Sequence, residues 1–482
     1  MTQHTIPALS YEWPSSSLIW GVRGGSGDAV RQYSPLDHLL IQQVRLLDEC
    51  EMEFLLRPGP ALPLMNPDEL WSFAERLHTT LQNLFDPLLE TMQLETAFIR
   101  ADCEEVLQGT LNFIRDFQQS VVSIRRCLVA PVRYELEGQA RQIRMAASPW
   151  GTVAVILPQS AFLIMGVTSL LNALAAGNRV ILRAPLGAAR SAALFTVALE
   201  AAGPPQDMVS VVQVQSREFV KALHESRFPS LMHYMGSSRY ASEVHAEAFQ
   251  HGNAALIDGE GNSWVWVGED ADVEATASLL THGAIRYNGQ TCTSINGALI
   301  HPKLYPALRA RLHERWCLLK AGNPLTGDVQ VGPLLDATQG KWCERRVRES
   351  GGDILCGGSC DGNLFMPTLV DNPSPKSELV THGLYGCALW IASADRETFV
   401  AWWRRNQYPL CAGVLSPAAD SAWWLAHLPN LARLVINSDP SIEHIFEPWG
   451  GYPGSSVNPV GTWKEKYQRI VAVDEPVPGA KI

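Results

Sequence analysis

At 482 residues the chain exceeds what one hydrophobic core usually organises, so two or more domains are expected. Hydrophobic residues make up 46% and charged residues 18%, an ordinary globular composition. A net charge of −11, with no basic block to offset it, argues against a nucleic-acid or anionic-membrane partner. The N-terminus "MTQHTIPALSYEW" lacks a basic stretch followed by an apolar run, and Ala161 to Ala176 is broken by Thr168, Ser169 and Asn172. A soluble cytoplasmic protein is therefore expected. The ten cysteines are scattered without paired C-x-x-C sets, so neither a zinc site nor a disulfide framework is indicated. "CGGSC", Cys356 to Cys360, has no histidine nearby and is a weak version of zinc-ligand spacing.

The first 125 residues read as mostly helical. Asn66-Pro67 starts one helix as an N-cap with proline in the first turn, and residues 101–127 keep the same periodicity. "GVRGGSG" near residue 21 reads as a loop. "LVAPVRYELEGQARQIRMAASPWG" predicts two short strands around Glu137-Gly138. From Gly151 strands and helices alternate, as in "GTVAVIL", "FLIMGVTSLLNALAAG", "NRVILRAP" and "SLMHYMGSS". That alternation predicts a parallel, doubly wound sheet, which binds ligands beyond the carboxyl ends of its strands. A second α/β region runs from about Ala255 to residue 445, and "WKEKYQRIVAVDEP" supplies one more strand.

No G-x-G-x-x-G fingerprint stands between a strand and a helix. Gly236-Ser237-Ser238 does open a helix directly after a strand, where free backbone N–H groups and a serine hydroxyl attract phosphate. The structural alternative is a simple N-cap. Cys292, in "RYNGQTCTSINGALI", is one of ten cysteines, and its default reading is a small buried hydrophobe.

"NGQTC" follows "MGSS" by about fifty residues and "IDGEGNSWVWVGEDADVE" by about thirty. With "PWGTVAVILP", "LLNALAAGNRVIL", "MPTLVDNP" and "WGGY" in the same order, it resembles the aldehyde dehydrogenase superfamily. The resemblance implies a doubly wound nucleotide-binding domain (1–125 and 146–254) and a second α/β catalytic domain (255–445). It also implies a small β oligomerisation element, a hairpin at 126–145 and a C-terminal strand at 463–482, in a homodimer or homotetramer. By the same resemblance Cys292 is the nucleophile that forms a thioacyl enzyme, with its backbone N–H and Ser160 as oxyanion donors. Asp258 stands at the position of the family's water-activating glutamate, one methylene shorter, with Glu260 as a substitute two residues on. Arg183, Gly236, Ser237 and Tyr385 fall at cofactor positions for NADP or NAD. Leu186 replaces an acidic residue that would repel a 2′-phosphate.

The segment "DGEGN" also resembles the CoA-acylating branch, as do "YNGQTC" and "RAPLGAAR", whereas Gln290 belongs to the ordinary branch. The leading expectation is therefore an oxidoreductase interconverting an aldehyde and an acyl thioester, with CoA or an acyl carrier protein as partner. The alternatives are a hydrolytic aldehyde dehydrogenase and a degenerate member that binds without catalysing.

Overall fold

The computed structural model describes residues 17–57, 66–123, 131–136, 139–226, 230–444, 447 and 463–477. The hairpin turn expected at Glu137-Gly138 and the "WGGY" segment lie outside the described residues.

The chain begins with β1 (Ser17–Ile19) and β2 (Val22–Gly24), then the helices α1 (Pro67–Asn83), α2 (Phe85–Thr96) and α3 (Arg100–Ser123). A long antiparallel pair follows, β3 (Val132–Leu136) and β4 (Gln139–Pro149). Next come β5 (Thr152–Ile156), α4 (Phe162–Ala175), β6 (Arg179–Arg183), α5 (Ala189–Ala202) and β7 (Val209–Val212). The first body closes with β8 (Ser230–Met235), α6 (Ala241–Gln250) and β9 (Ala254–Asp258). Its sheet runs β9-β8-β5-β6-β7-β1-β2, parallel from β9 to β7. Every residue of β5, β6 and β7 is buried, as continuous apolar strands with helices on both faces must be.

The edge formed by β1 and β2 departs from the helical reading of the N-terminal region. β1 packs antiparallel on β7, turning back through Trp20 (φ 50°) and Gly21 (φ 90°) into β2. Three-residue strands carry no readable period, so "GVRGGSG" contains a strand, Val22–Gly24, that its sequence does not announce.

The second body holds β10 (Ser263–Val267), α7 (Val273–Ile285), β11 (Ile295–Ile300), α8 (Ala337–Arg348) and β12 (Asp353–Cys356). It continues with β13 (Thr368–Asp371), β14 (Ala388–Ser393), β15 (Cys411–Leu415) and β16 (Arg433–Ile436). The order is β12-β13-β14-β11-β10-β15-β16, parallel except at β12. The one-turn helix α9 (Trp463–Lys466) leads into β17 (Gln468–Pro476), which pairs antiparallel along β4 to make a three-stranded sheet with β3. Among the described residues no helix is long and apolar enough to cross a membrane.

Tryptophans build much of the core of the second body. Trp264 meets Trp390 edge-on at 5.1 Å and Trp403 at 5.6 Å, all three essentially fully buried. The cluster fits because Gly297 on β11 leaves room for the Trp390 ring: a Cβ there would lie 1.9 Å from Trp390 Cε2. Gly297→Ala is expected to destabilise the protein by about 1–3 kcal/mol through overpacking. A urea-denaturation midpoint unchanged from wild type would contradict this packing.

Candidate active site

Cys292 sits in the loop before β11, pinned by close backbone approaches. Tyr287, Asn288 and Gly289 take three successive positive φ values, 54°, 55° and 65°. Gly289 is forced by more than its φ, since a Cβ would lie 2.5 Å from the Gly386 carbonyl. Gly261 presses from the other side, where a Cβ would lie 1.9 Å from the Cys292 carbonyl oxygen. Asn288 is the clamp of this loop: its Nδ2 donates to the carbonyls of Ala97 (3.0 Å) and Pro333 (3.1 Å), and its Oδ1 accepts from Gly332 N (2.8 Å). Gln290 Oε1 accepts from Leu335 N at 3.1 Å. "YNGQTC" is thus a structural seat for the cysteine. Similarly, Asn262 of "DGEGN" is fully buried, donates to Val380 O and accepts from Trp264 Nε1. The glycine and asparagine that suggest a thiol-transfer branch are accounted for by packing.

Three expected residues converge on Cys292. Asp258, at the end of β9, acts electrostatically on its thiol. Ser160, buried at the start of α4, hydrogen-bonds the hydroxyl of Tyr385, and Tyr385 is close enough to Cys292 to be coupled to it. Tyr385, expected only at the cofactor, is therefore an electrostatic neighbour of the thiol as well.

Glu443 was missed. Its carboxylate acts on the thiol more strongly than Asp258 does, and it hydrogen-bonds Thr293. Burial raises the Cys292 thiol well above its ordinary range, and these two carboxylates raise it further. Lys466, from α9, is buried with both carboxylates as electrostatic neighbours, and burial lowers its ammonium to about 8. Nothing in the sequence links "IEH" or "KEK" to the cysteine; one signal was legible, a histidine inside the apolar strand "SLMHYM". Its ring binds Asp258, His233 Nε2 to Oδ2, at 2.6 Å.

Glu260 takes a different place from the one expected of a base beside Cys292. Its Oε1 accepts from Ser237 Oγ at 2.9 Å, and its backbone N–H donates to Ser238 Oγ at 2.9 Å. Ser237 and Glu260 line a cleft of about 370 Å³ with Arg239, Gln339, Trp342 and Tyr385. Gly236, just after β8, donates its N–H to Asp258 O at 3.0 Å. Arg183 ends β6 but points inward, its Nε on Val214 O at 3.0 Å; burial lowers it to about 10. It is not among the residues that line the cleft. Among the described residues no group of three His, Cys, Asp or Glu side chains is placed to hold a metal.

The cleft suits a phosphate-bearing aromatic ligand. The Ser237 hydroxyl and the Arg239 guanidinium supply donors, and Trp342, Tyr385 and Tyr408 supply ring faces. Glu260 and Asp336 are the carboxylates there that oppose a phosphate.

The sequence model described as "Aldehyde dehydrogenase family" matches residues 60–473. The 3-sulfolactaldehyde dehydrogenase of Priestia aryabhattai is 27% identical over 311 residues, 63% of this chain and 64% of that protein. The chain thus matches just under two thirds of that relative's length. The vanillin dehydrogenase of Amycolatopsis is 28% identical over 331 residues, 67% of each chain. Among solved structures, an NADP-dependent enzyme of E. coli superposes with a TM-score of 0.87 at 20% identity, covering 96% of this chain and 98% of its own. A Thermus 1-pyrroline-5-carboxylate dehydrogenase with bound NAD gives 0.83 at 18% identity, covering 96% and 93%. The named relatives are ordinary aldehyde dehydrogenases, so the leaning towards the CoA-acylating branch is not supported.

A thiol held protonated by burial and two carboxylates alkylates slowly near neutrality. The rate of Cys292 alkylation by iodoacetamide, followed by peptide mass spectrometry, is expected to keep rising past pH 9, because only the thiolate reacts. Asp258→Asn removes one negative neighbour and should raise the rate at neutral pH. A plateau below pH 8 would contradict this electrostatic account.

Proposed function

The chain belongs to the aldehyde dehydrogenase family, and from that premise we propose that it oxidises an aldehyde to the free acid through a thioacyl enzyme on Cys292. The observation that carries the hydrolytic reading is the Asp258 carboxylate beside the thiol, at the end of β9. An enzyme that must keep its thioester for a second thiol has no use for a water-activating carboxylate there. The names of the relatives, dehydrogenases of 3-sulfolactaldehyde and vanillin, point the same way.

Glu443 takes the thiol proton, and the Cys292 thiolate adds to the aldehyde carbon. The developing oxyanion is met by the Cys292 backbone N–H and by the Ser160–Tyr385 hydroxyl pair. A bound nicotinamide dinucleotide, NAD or NADP, supplies the hydride acceptor. Ser237, Arg239, Gln339, Trp342 and Tyr385 would hold it in the cleft. Asp258 then deprotonates the water that releases the acid. The close seating of the Gly261 backbone against Cys292 draws the two loops together.

The three-stranded sheet exposes Val132, Ile143, Ile470 and Val471, an apolar set that suits contact with a second copy of the chain.

With an aldehyde panel and either dinucleotide, wild-type protein is expected to release free acid without added CoA or other thiol, and Cys292→Ala should reduce no cofactor. Product that forms only as a thioester, and only when CoA is present, would overturn the hydrolytic reading. An aldehyde-independent protein that binds neither dinucleotide would leave only a non-catalytic role.

A further inference from the structure

His233 lies within β8 with its side chain at 0% exposure, between the apolar residues Met232 and Tyr234. A histidine costs free energy to bury unless both ring nitrogens are satisfied. Here both are: Nε2 is 2.6 Å from Asp258 Oδ2, and Nδ1 is 2.8 Å from the Tyr467 hydroxyl. Tyr467 is itself fully buried, and its carbonyl accepts from Asn178 Nδ2 at 2.9 Å, which fixes the segment between α9 and β17 against the first body. The arrangement that satisfies every group has Tyr467 O–H donating to Nδ1 and Nε2–H donating to Asp258. The other charged groups facing Asp258 are the buried Lys466 and, across the thiol, Glu443.

We propose that His233 is a positioning residue for deacylation: through its bond to Asp258 it holds that carboxylate aimed at the water that attacks the thioacyl group, while Tyr467 fixes its tautomer. The proposal rests on the hydrolytic reading above. In the step the water oxygen bonds to the acyl carbon and its proton passes to Asp258. The C–S bond breaks, Cys292 leaves as the thiolate and the acid departs. His233 and Tyr467 keep their protons throughout.

The test uses the full chain and p-nitrophenyl acetate, an activated ester that acylates a thiol without any dinucleotide. A burst of p-nitrophenolate measures acylation of Cys292, and the later steady release measures hydrolysis of the acetyl enzyme. His233→Leu should keep the burst while the steady rate falls about tenfold, less than the 10²–10⁴ that loss of a base itself costs. Acetylated Cys292 should accumulate in the acid-quenched protein. His233→Gln, with an amide donor near the Nε2 position, should recover part of the rate. Tyr467→Phe keeps the ring, loses only the donor, and should act in the same direction more weakly. Burst and steady rate falling together, or neither changing, in His233→Leu would overturn the proposal. If that variant does not fold, an unchanged steady rate in Tyr467→Phe overturns it instead. Wild-type protein that acetylates but never turns over, and yields no free acid from aldehydes, would strike the hydrolytic reading rather than the role of His233.

Discussion

The backbone contact between Gly261 and Cys292 is the constraint on which the site depends. The β9–β10 connection and the cysteine loop touch so closely that no side chain fits between them. On the far side Gly289 meets Gly386 just as closely. Three segments far apart in the chain are thus locked around one thiol, and each brings a group with it: Asp258, Cys292 and Tyr385. Asn288 and Asn262 secure the arrangement from behind with buried amides, each satisfied by its own hydrogen-bond partners.

This packing produces an electrostatic tension that the chemistry can use. The half-buried thiol faces two carboxylates, and desolvation together with their charge raises it well above its ordinary range. In the proposed mechanism Glu443 accepts its proton, and Asp258 serves when water arrives. Lys466 offsets their mutual repulsion from a buried position. On the cofactor side the balance differs: Glu260 engages Ser237 at the place where a phosphate would sit. Dinucleotide binding must compete with that bond.

Much of this was legible in the sequence, because the family order of short motifs survives. Cys292, Asp258, Ser160 and Tyr385 were each placed by a motif, and the structure brings them together. The two α/β bodies followed from alternating apolar strands and helices. What escaped reading depends on long-range contact. His233 is 25 residues from Asp258, and Tyr467 is 234 residues from His233, with no local pattern joining them. Glu443 and Lys466 lie in irregular or very short segments that carry no period. "DGEGN" misled for a physical reason, since its glycine and asparagine serve packing rather than the choice of acyl acceptor. Glu260 was assigned by its nearness in sequence to Asp258, but it follows the strand end and turns into the cleft.

The central claim is that Asp258 activates the water that frees the acyl group from Cys292. The most direct measurement is the intact mass of Asp258→Asn after acid quench during turnover of an aldehyde with cofactor. The account predicts a protein carrying one acyl group on Cys292, with near-normal formation of the first equivalent of reduced cofactor and slow turnover after it. An unmodified Cys292 together with wild-type turnover would contradict it.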